Sequence, residues 1–402
     1  MDRQRDVMGL GYLSGAPRVS THFNAEAAGA RAHVLGLIKA FEGLNWEVKP
    51  FIVGDRVPQK WVMKGSEQTL SSGFFPTLAA DLVRLVMNVV NGQQAWRELQ
   101  GQVDWVYERF ASLQSLGQTF KRHGVPWILE TNGPFFYEAK TERKSLVLTG
   151  PARWVEIRAY QQCDVLVCIS EVLKEIVVRE ASIPPEKVVV VPNGVDTAFF
   201  DPEQHKPKYL FEDFTIGFVG GLLAWQGLDL LLEALHDLRA EGMNMSLVVM
   251  GDGPMQPVWE AQAQQLGIST NVMFVGRKPW QEVPQYIAGF DVGYSGQVQL
   301  QAQKMYHSPL KLYEYMAMAK PVVASAFEDA QRVIRDRETG FLFQAGSKDD
   351  LKRALVGVYQ CRDVLPEMGR RAREEVVANH SWRDRMQTMI DRVEQILKER
   401  NK

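Results

Sequence analysis

Residues 307–325 read His307-Ser308-Pro309-Leu310-Lys311-Leu312-Tyr313-Glu314-Tyr315-Met316-Ala317-Met318-Ala319-Lys320-Pro321-Val322-Val323-Ala324-Ser325. The Ser-Pro step makes a turn, because proline fixes φ and has no N–H to donate. A short helix follows, and the apolar run Pro321–Ala324 reads as a buried strand. Lys311 and Glu314 stand three apart, so they project from one side of that helix near its start. A lysine there can neutralise a diphosphate, and a carboxylate can accept two hydrogen bonds from a ribose diol. The plainer alternative is a surface ion pair worth about 0.3 kcal/mol. Spacing alone favours the ion pair.

The same turn–helix–strand rhythm extends in both directions. The expected strands are Val7–Leu13, Trp46–Val53, Val103–Tyr107, Trp127–Glu130, Asp164–Ile169 and Lys187–Val191. After a gap come Thr215–Val219, Ser246–Met250, Val272–Val275, Phe290–Tyr294, Pro321–Ala324 and Phe341–Phe343. Helical patterns lie between them, as in Leu228–Ala240, whose leucines at 228, 231, 232, 235 and 238 form one apolar face. Alternation of this kind means parallel sheets covered on both sides. Six strands, a break and six more predict two doubly wound domains, divided at 200/201, with Asp196–Asp213 as a linker. Ligands of such sheets bind beyond the carboxyl ends of the strands, so the expected site is a cleft between the two domains.

At 402 residues the chain has the length for two cores. Its 46 basic and 48 acidic residues leave a net charge of −2, with no global field for nucleic acid or an acidic membrane. Three cysteines without a CxxC pair argue against a disulfide scaffold or zinc site. The charged start Met1–Asp6 is not a signal peptide, and no uninterrupted apolar run nears the ~20 residues that cross a bilayer. The expected location is cytoplasmic, with any membrane contact peripheral, at the inner face. One stretch, Ser71–Trp96, carries Phe74-Phe75-Pro76 and the apolar positions Leu82, Val83, Leu85, Val86, Val89 and Val90. It could dip into a membrane interface, but core packing is the favoured reading.

The second half opens with Ile216-Gly217-Phe218-Val219-Gly220-Gly221-Leu222-Leu223-Ala224-Trp225-Gln226-Gly227. A strand feeding a glycine-rich turn and a helix N-terminus can hold a phosphate, since glycine admits the ligand and the free N–H groups favour anions. The same Gly-Gly pair also makes plain tight turns. Elsewhere, Asp336-Arg337-Glu338 is the nearest approach to an acidic metal motif and reads as a solvated charge run.

Five motifs occur in order: Val191-Pro192-Asn193-Gly194-Val195-Asp196, Met250-Gly251-Asp252-Gly253-Pro254, Val275-Gly276-Arg277, Ser308-Pro309-Leu310-Lys311-Leu312-Tyr313-Glu314-Tyr315-Met316-Ala317 and Thr339-Gly340-Phe341-Leu342. Together they resemble the retaining GT-B glycosyltransferases of family 4, over nearly the whole chain. The N-terminal half fits more loosely, through Ala28–Val34 and Tyr107–Phe110. The resemblance implies two Rossmann-like domains facing across a cleft. The first would bind a carbohydrate or lipid-linked acceptor and the second a nucleotide-sugar donor. The helix Trp382–Lys402 would cross back onto the first domain. UDP is the expected nucleotide, with GDP next, and no metal or other cofactor is expected.

Carried over residue by residue, Glu314 matches the family's ribose-binding glutamate. Tyr306 stands where a second glutamate meets the sugar. The segment Ser308, Leu310 and Lys311 would lie along the diphosphate and sugar. Gly220 and Gly221 belong to the donor turn, where the family places an Arg and a Lys; those two positions here are Gly221 and Gln226. Lys311 is then the first candidate to stabilise the leaving group and Arg277 the second, unless Arg277 sits by the nucleobase. In the first domain Gly29 is kept from a Gly-Gly loop and Asn132 replaces a histidine near the transferred sugar. His33 reads as packed rather than catalytic. No nucleophile is assigned; Glu26 and Glu130 are the loop carboxylates at hand. A nucleotide-sugar 2-epimerase and a non-catalytic GT-B partner are the competing readings.

Overall fold

The computed structural model describes residues 7–22, 28–58, 73–141, 146–299 and 304–400. The chain divides into two compact units, Met1–Pro192 with Trp382–Lys402, and Asn193–Ser381. In the first, strands β1 (Met8–Ser14), β2 (Trp46–Ile52), β3 (Trp105–Arg109), β4 (Trp127–Thr131), β5 (Val165–Cys168) and β6 (Val188–Val190) form one parallel sheet in the order β2-β1-β3-β4-β5-β6. In the second, β7 (Phe214–Val219), β8 (Met245–Met250), β9 (Val272–Gly276), β10 (Val292–Ser295), β11 (Val322–Ser325) and β12 (Gly340–Phe343) are ordered β12-β11-β10-β7-β8-β9, again all parallel.

Each of the twelve apolar runs forms a strand, with ends moved by no more than two residues. The reason is burial on both faces: every residue of β8 is buried, so the strand reads as a continuous apolar run. On the helix Leu228–Ala240 the five leucines at 228, 231, 232, 235 and 238 are all buried. They join Ile216 and Phe218 of β7 and Leu247 and Val249 of β8 in the core of the second unit.

The division falls at 192/193 rather than 200/201, and the segment 196–213 is not a free linker. Phe199 stacks on Trp280 with ring centroids 3.7 Å apart, Phe200 is buried, and Asp201 pairs with Arg373 at 3.0 Å. Two adjacent aromatic side chains gain more from that core than from water.

Two further expectations change. The helix Phe74–Leu99 packs into the core only toward its end, at Ala95 and Leu99: Leu82, Val83, Val86, Val89 and Val90 are exposed, while Leu85 packs against a cluster of buried residues. By length and composition this helix could also cross a membrane. Run length alone does not detect this, because Asp81, Arg84 and Asn88 interrupt the apolar sequence.

The helix Trp382–Arg400 belongs to the first unit. Its Trp382 lies over Gly36 of the helix Ala28–Gly43, so close that a Cβ there would overlap the indole, and its ring meets His33 edge-on at 5.1 Å. At the far end Arg400 reaches Asp164 at 3.6 Å. Trp382→Ala should leave a cavity costing about 3–5 kcal/mol, seen in calorimetry as a lower transition temperature for the first unit. An unchanged transition would mean that this helix contributes nothing to that core.

Candidate active site

In the second sheet the strand order reverses between β7 and β10, the switch point where open α/β sheets take ligands. Three loops beyond β7, β8 and β9 are knitted together there. Gly220 N–H donates to Met250 O, Leu222 N–H to Asp252 O, and Gly251 N–H to Gly276 O. The approach is close enough to demand glycine at Gly251, whose φ is +135° and whose Cβ would overlap the Gly220 carbonyl.

Lys311 enters this place from the helix Leu310–Ala317, which begins just after Pro309. Its Nζ donates to Gln226 Oε1 at 2.7 Å instead of pairing with Glu314, and it sits 3.8 Å from the centre of the Phe218 ring. A Cβ on Gly220, at φ +147°, would lie 3.2 Å from that ammonium. The surface ion pair is therefore not formed. Burial pulls the Lys311 ammonium well below the usual lysine range, with Glu314 opposing. The direct contacts of the ammonium are one amide oxygen and one aromatic face, and among the described residues no carboxylate reaches it at ion-pair distance, a place an anionic ligand can take.

Glu314 is half-buried one turn later, and among the described residues no hydrogen bond reaches its carboxylate. Burial pushes this carboxyl up to about 7, against the pull of Lys311. Gly221 is exposed, with only Leu223 at 4.0 Å from a Cβ built there, so space does not prevent a side chain at that position.

The remaining residues singled out in this unit are placed differently. Ser308 is used structurally: its hydroxyl donates to Asp329 Oδ2 at 2.7 Å and accepts from Asn193 N–H at 3.0 Å. The Asn193 amide also donates to the Ser308 carbonyl. Asp329 in turn accepts from the Tyr313 hydroxyl and pairs with Arg332 at 2.6 Å. Leu310, half-buried, opens the helix. Tyr306 is buried, its ring edge-on to His307. Arg277 is exposed and pairs with Asp252 at 3.0 Å, so it stands on the loop after β9 rather than beside Lys311. Gln226 and Asp329 had no signal in the sequence as partners, since each reads as an ordinary polar loop or helix residue.

In the first unit the carboxyl ends of β3 and β4 hold a buried charge cluster. His33 Nε2 lies 2.8 Å from Glu130 Oε1, and Arg109 Nη1 is 3.1 Å from His33 Nδ1. Burial would raise the Glu130 carboxyl, but His33, Arg109 and Asn132 outweigh it and hold it below the usual range. Glu130 thus lies on β4, as the expected strand Trp127–Glu130 has it and not as a loop carboxylate, and its charged neighbours make burial tolerable. His33 is packed, burial holds its imidazole below the usual range, and it meets Glu130 as a hydrogen-bond partner. Asn132 follows β4 and is half-buried. Gly29 is exposed in the first turn of its helix with open space around it. Glu26 lies outside the described residues. Asp336 and Glu338 pair with neighbouring arginines on the surface, and among the described residues no group of three or more His, Cys, Asp or Glu could hold a metal ion.

The chain matches two family descriptions, Glycosyltransferase Family 4 over residues 27–199 and Glycosyl transferases group 1 over residues 201–375. It is 24% identical over 325 residues to the UDP-Gal:alpha-D-GlcNAc-diphosphoundecaprenol alpha-1,3-galactosyltransferase of Escherichia coli, covering 77% of this chain and 80% of that one. It is 28% identical over 207 residues to a GDP-mannose-dependent alpha-(1-6)-phosphatidylinositol monomannoside mannosyltransferase of Mycobacterium tuberculosis, covering 50% of this chain and about half (54%) of that one. Among solved structures, sucrose-phosphate synthase from Thermosynechococcus elongatus superposes with a TM-score of 0.72 at 16% identity, over 98% of this chain and all (100%) of its own. The fold is GT-B, two Rossmann-like domains each built on a six-stranded parallel sheet. With the two family matches covering nearly all of residues 27–375, the chain belongs to the glycosyl transferases of group 1.

Proposed function

We propose that this glycosyltransferase takes a UDP-sugar in its second unit and transfers the sugar, with retained anomeric configuration, to a hydroxyl of a lipid-linked or carbohydrate acceptor. The observation that carries the reading is the buried Lys311 ammonium, which is held by the Gln226 amide oxygen and the Phe218 ring and sits against Gly220 at the switch point. Lys311 neutralises the diphosphate, Gly220 and Gly221 let it approach the backbone, and Glu314 accepts from the ribose hydroxyls. Leu310 and Ser308 form the backbone along the diphosphate and Tyr306 packs behind it. Arg277, exposed beyond β9, serves the outer part of the donor. Asn132 and Gly29 belong to the acceptor side.

In the reaction the bond from the anomeric carbon to the diphosphate oxygen breaks, and the electron pair leaves with the diphosphate. The acceptor oxygen bonds to the same carbon, and its proton passes to the departing diphosphate. The barrier lies in separating a trianionic nucleoside diphosphate from an oxocarbenium-like sugar, so one placed cation matters more than any nucleophile. That role is assigned to Lys311 rather than to a metal ion, and chelation with EDTA should leave turnover unchanged. The galactosyltransferase relative supports UDP as the nucleotide and both relatives support a lipid-linked acceptor. The corresponding location is the cytoplasmic face of a membrane.

Calorimetric titration with UDP, GDP and ADP tests the donor site. Micromolar binding of UDP, abolished in Glu314→Ala, is the expected result; no binding of any nucleotide would favour a non-catalytic partner protein. Lys311→Ala should lower kcat about a hundredfold, the ~3 kcal/mol of one preorganised charge, with the unfolding transition unchanged.

The pH profile of UDP affinity should be limited on both sides. As pH falls through about 7, Glu314 takes up a proton and can no longer accept two hydrogen bonds. As pH rises, Lys311, held below the usual lysine range, loses its proton early. Glu314→Gln should remove the acid limb and Lys311→Ala the alkaline one. A flat profile in the unmodified enzyme would refute both assignments.

A further inference from the structure

The helix Phe74–Leu99 is built inside out. From Phe74 to Val90 every exposed residue is apolar, and the four polar ones, Thr77, Asp81, Arg84 and Asn88, are turned inward or half-buried. Phe75 is 79% exposed, and Val83, Val86 and Val89 are each 60–65% exposed. The first exposed polar residues are Gln93 and Gln94, in the last two turns. Valine at an exposed helical position does not favour the helix, since its branched Cβ loses rotamer freedom there. Water gives no reason for this face.

The polar side is fully used. Asp81 accepts from the N–H groups of Val147 and Leu148 at 2.8 and 2.9 Å and pairs with Arg84 at 2.8 Å. Asn88 accepts from Ser115 N–H at 2.6 Å. These bonds fix the helix to the first unit by one side and present the other outward. They also decide how it can meet a membrane. Crossing would carry Asp81 and its partners into hydrocarbon, at a cost of about 2.5 kcal/mol or more for the charge alone, whereas lying in the interface leaves them in the protein.

A second copy of the chain fits this face less well. A protein interface carries a polar rim and about one hydrogen bond per 100–200 Å², and no exposed residue from Phe74 to Val90 is polar. A lipid surface needs no matching partner and takes a narrow apolar ridge.

We infer that the face Phe74–Val90 inserts into the interfacial zone of a lipid bilayer and docks the first unit on the membrane that holds the acceptor. The acceptor part rests on the function proposed above; the docking part does not. It is read without substrate, by co-sedimentation of the full chain with vesicles of equal parts phosphatidylcholine and phosphatidylglycerol. The unmodified protein should pellet with the vesicles. The double variant Val86→Ser/Val89→Ser should partition at least roughly tenfold less, having lost two apolar anchors, while its UDP titration and unfolding transition stay as before. In Phe75→Trp, the new indole should shift to shorter emission wavelengths on vesicles and be quenched by brominated lipid. Retention of the unmodified protein in the supernatant, or equal pelleting of the double variant, would overturn the inference. So would a dimer in sedimentation equilibrium that the double variant turns into monomer. A protein that binds vesicles but no nucleotide would leave docking standing and remove the donor assignment.

Discussion

A buried ammonium held by an amide and an aromatic ring rather than by an ion pair is the constraint on which the second unit is arranged. Lys311 lies between the loop beyond β7 and the helix that carries it, with an amide oxygen and the face of Phe218 as its company. Neither partner repays the loss of water around a charge. The arrangement persists because the loops around it are tied to one another and cannot open independently. Gly220, Gly251 and Gly276 bring three strand ends together through backbone hydrogen bonds, with Gly251 pressed against the Gly220 carbonyl. Stability spent at this point becomes an electrostatic preference for whatever anion enters.

The motifs that carry the family resemblance divide into two physical kinds. Asn193, Ser308 and Asp329 form a chain of hydrogen bonds between segments more than a hundred residues apart, and they hold the turn before Leu310 in place. Gly220, Lys311 and Glu314 lie next to that frame, at the place where the donor is proposed to bind. The replacement of a lysine by Gln226 then has a structural counterpart. The amide that stands in its place accepts from Lys311, so a cation from another element fills the same corner of the site.

In the first unit the charges are already paired. His33 bridges Arg109 and Glu130 at the strand ends, and Trp382 closes over His33 from the last helix. That cluster fixes the shape of the sheet's carboxyl edge. The helix Phe74–Leu99 is the opposite case, with its polar residues from Thr77 to Asn88 bonded inward and its apolar face left outward.

The sequence by itself determined the twelve strands, their parallel pairing and the tandem of two doubly wound units. Burial on both faces writes each parallel strand as a continuous apolar run, and a 3.6-residue period writes the covering helices. It also singled out Lys311 and Glu314, because a helix start places residues three apart on one side. Only the tertiary structure decided what those side chains do. The ion pair that spacing favoured gave way to Gln226, eighty-five positions away. Glu130, at the end of its expected strand, is buried because Arg109 and His33 converge on it. Phe199 and Phe200 drew the supposed linker into the second core. The direction of the apolar face on Phe74–Leu99 also escaped the sequence, since periodicity reports that a helix has two sides and not which one meets the protein. That choice belongs to Asp81 and Asn88, whose partners at Val147, Leu148 and Ser115 are brought within reach only by the folded chain.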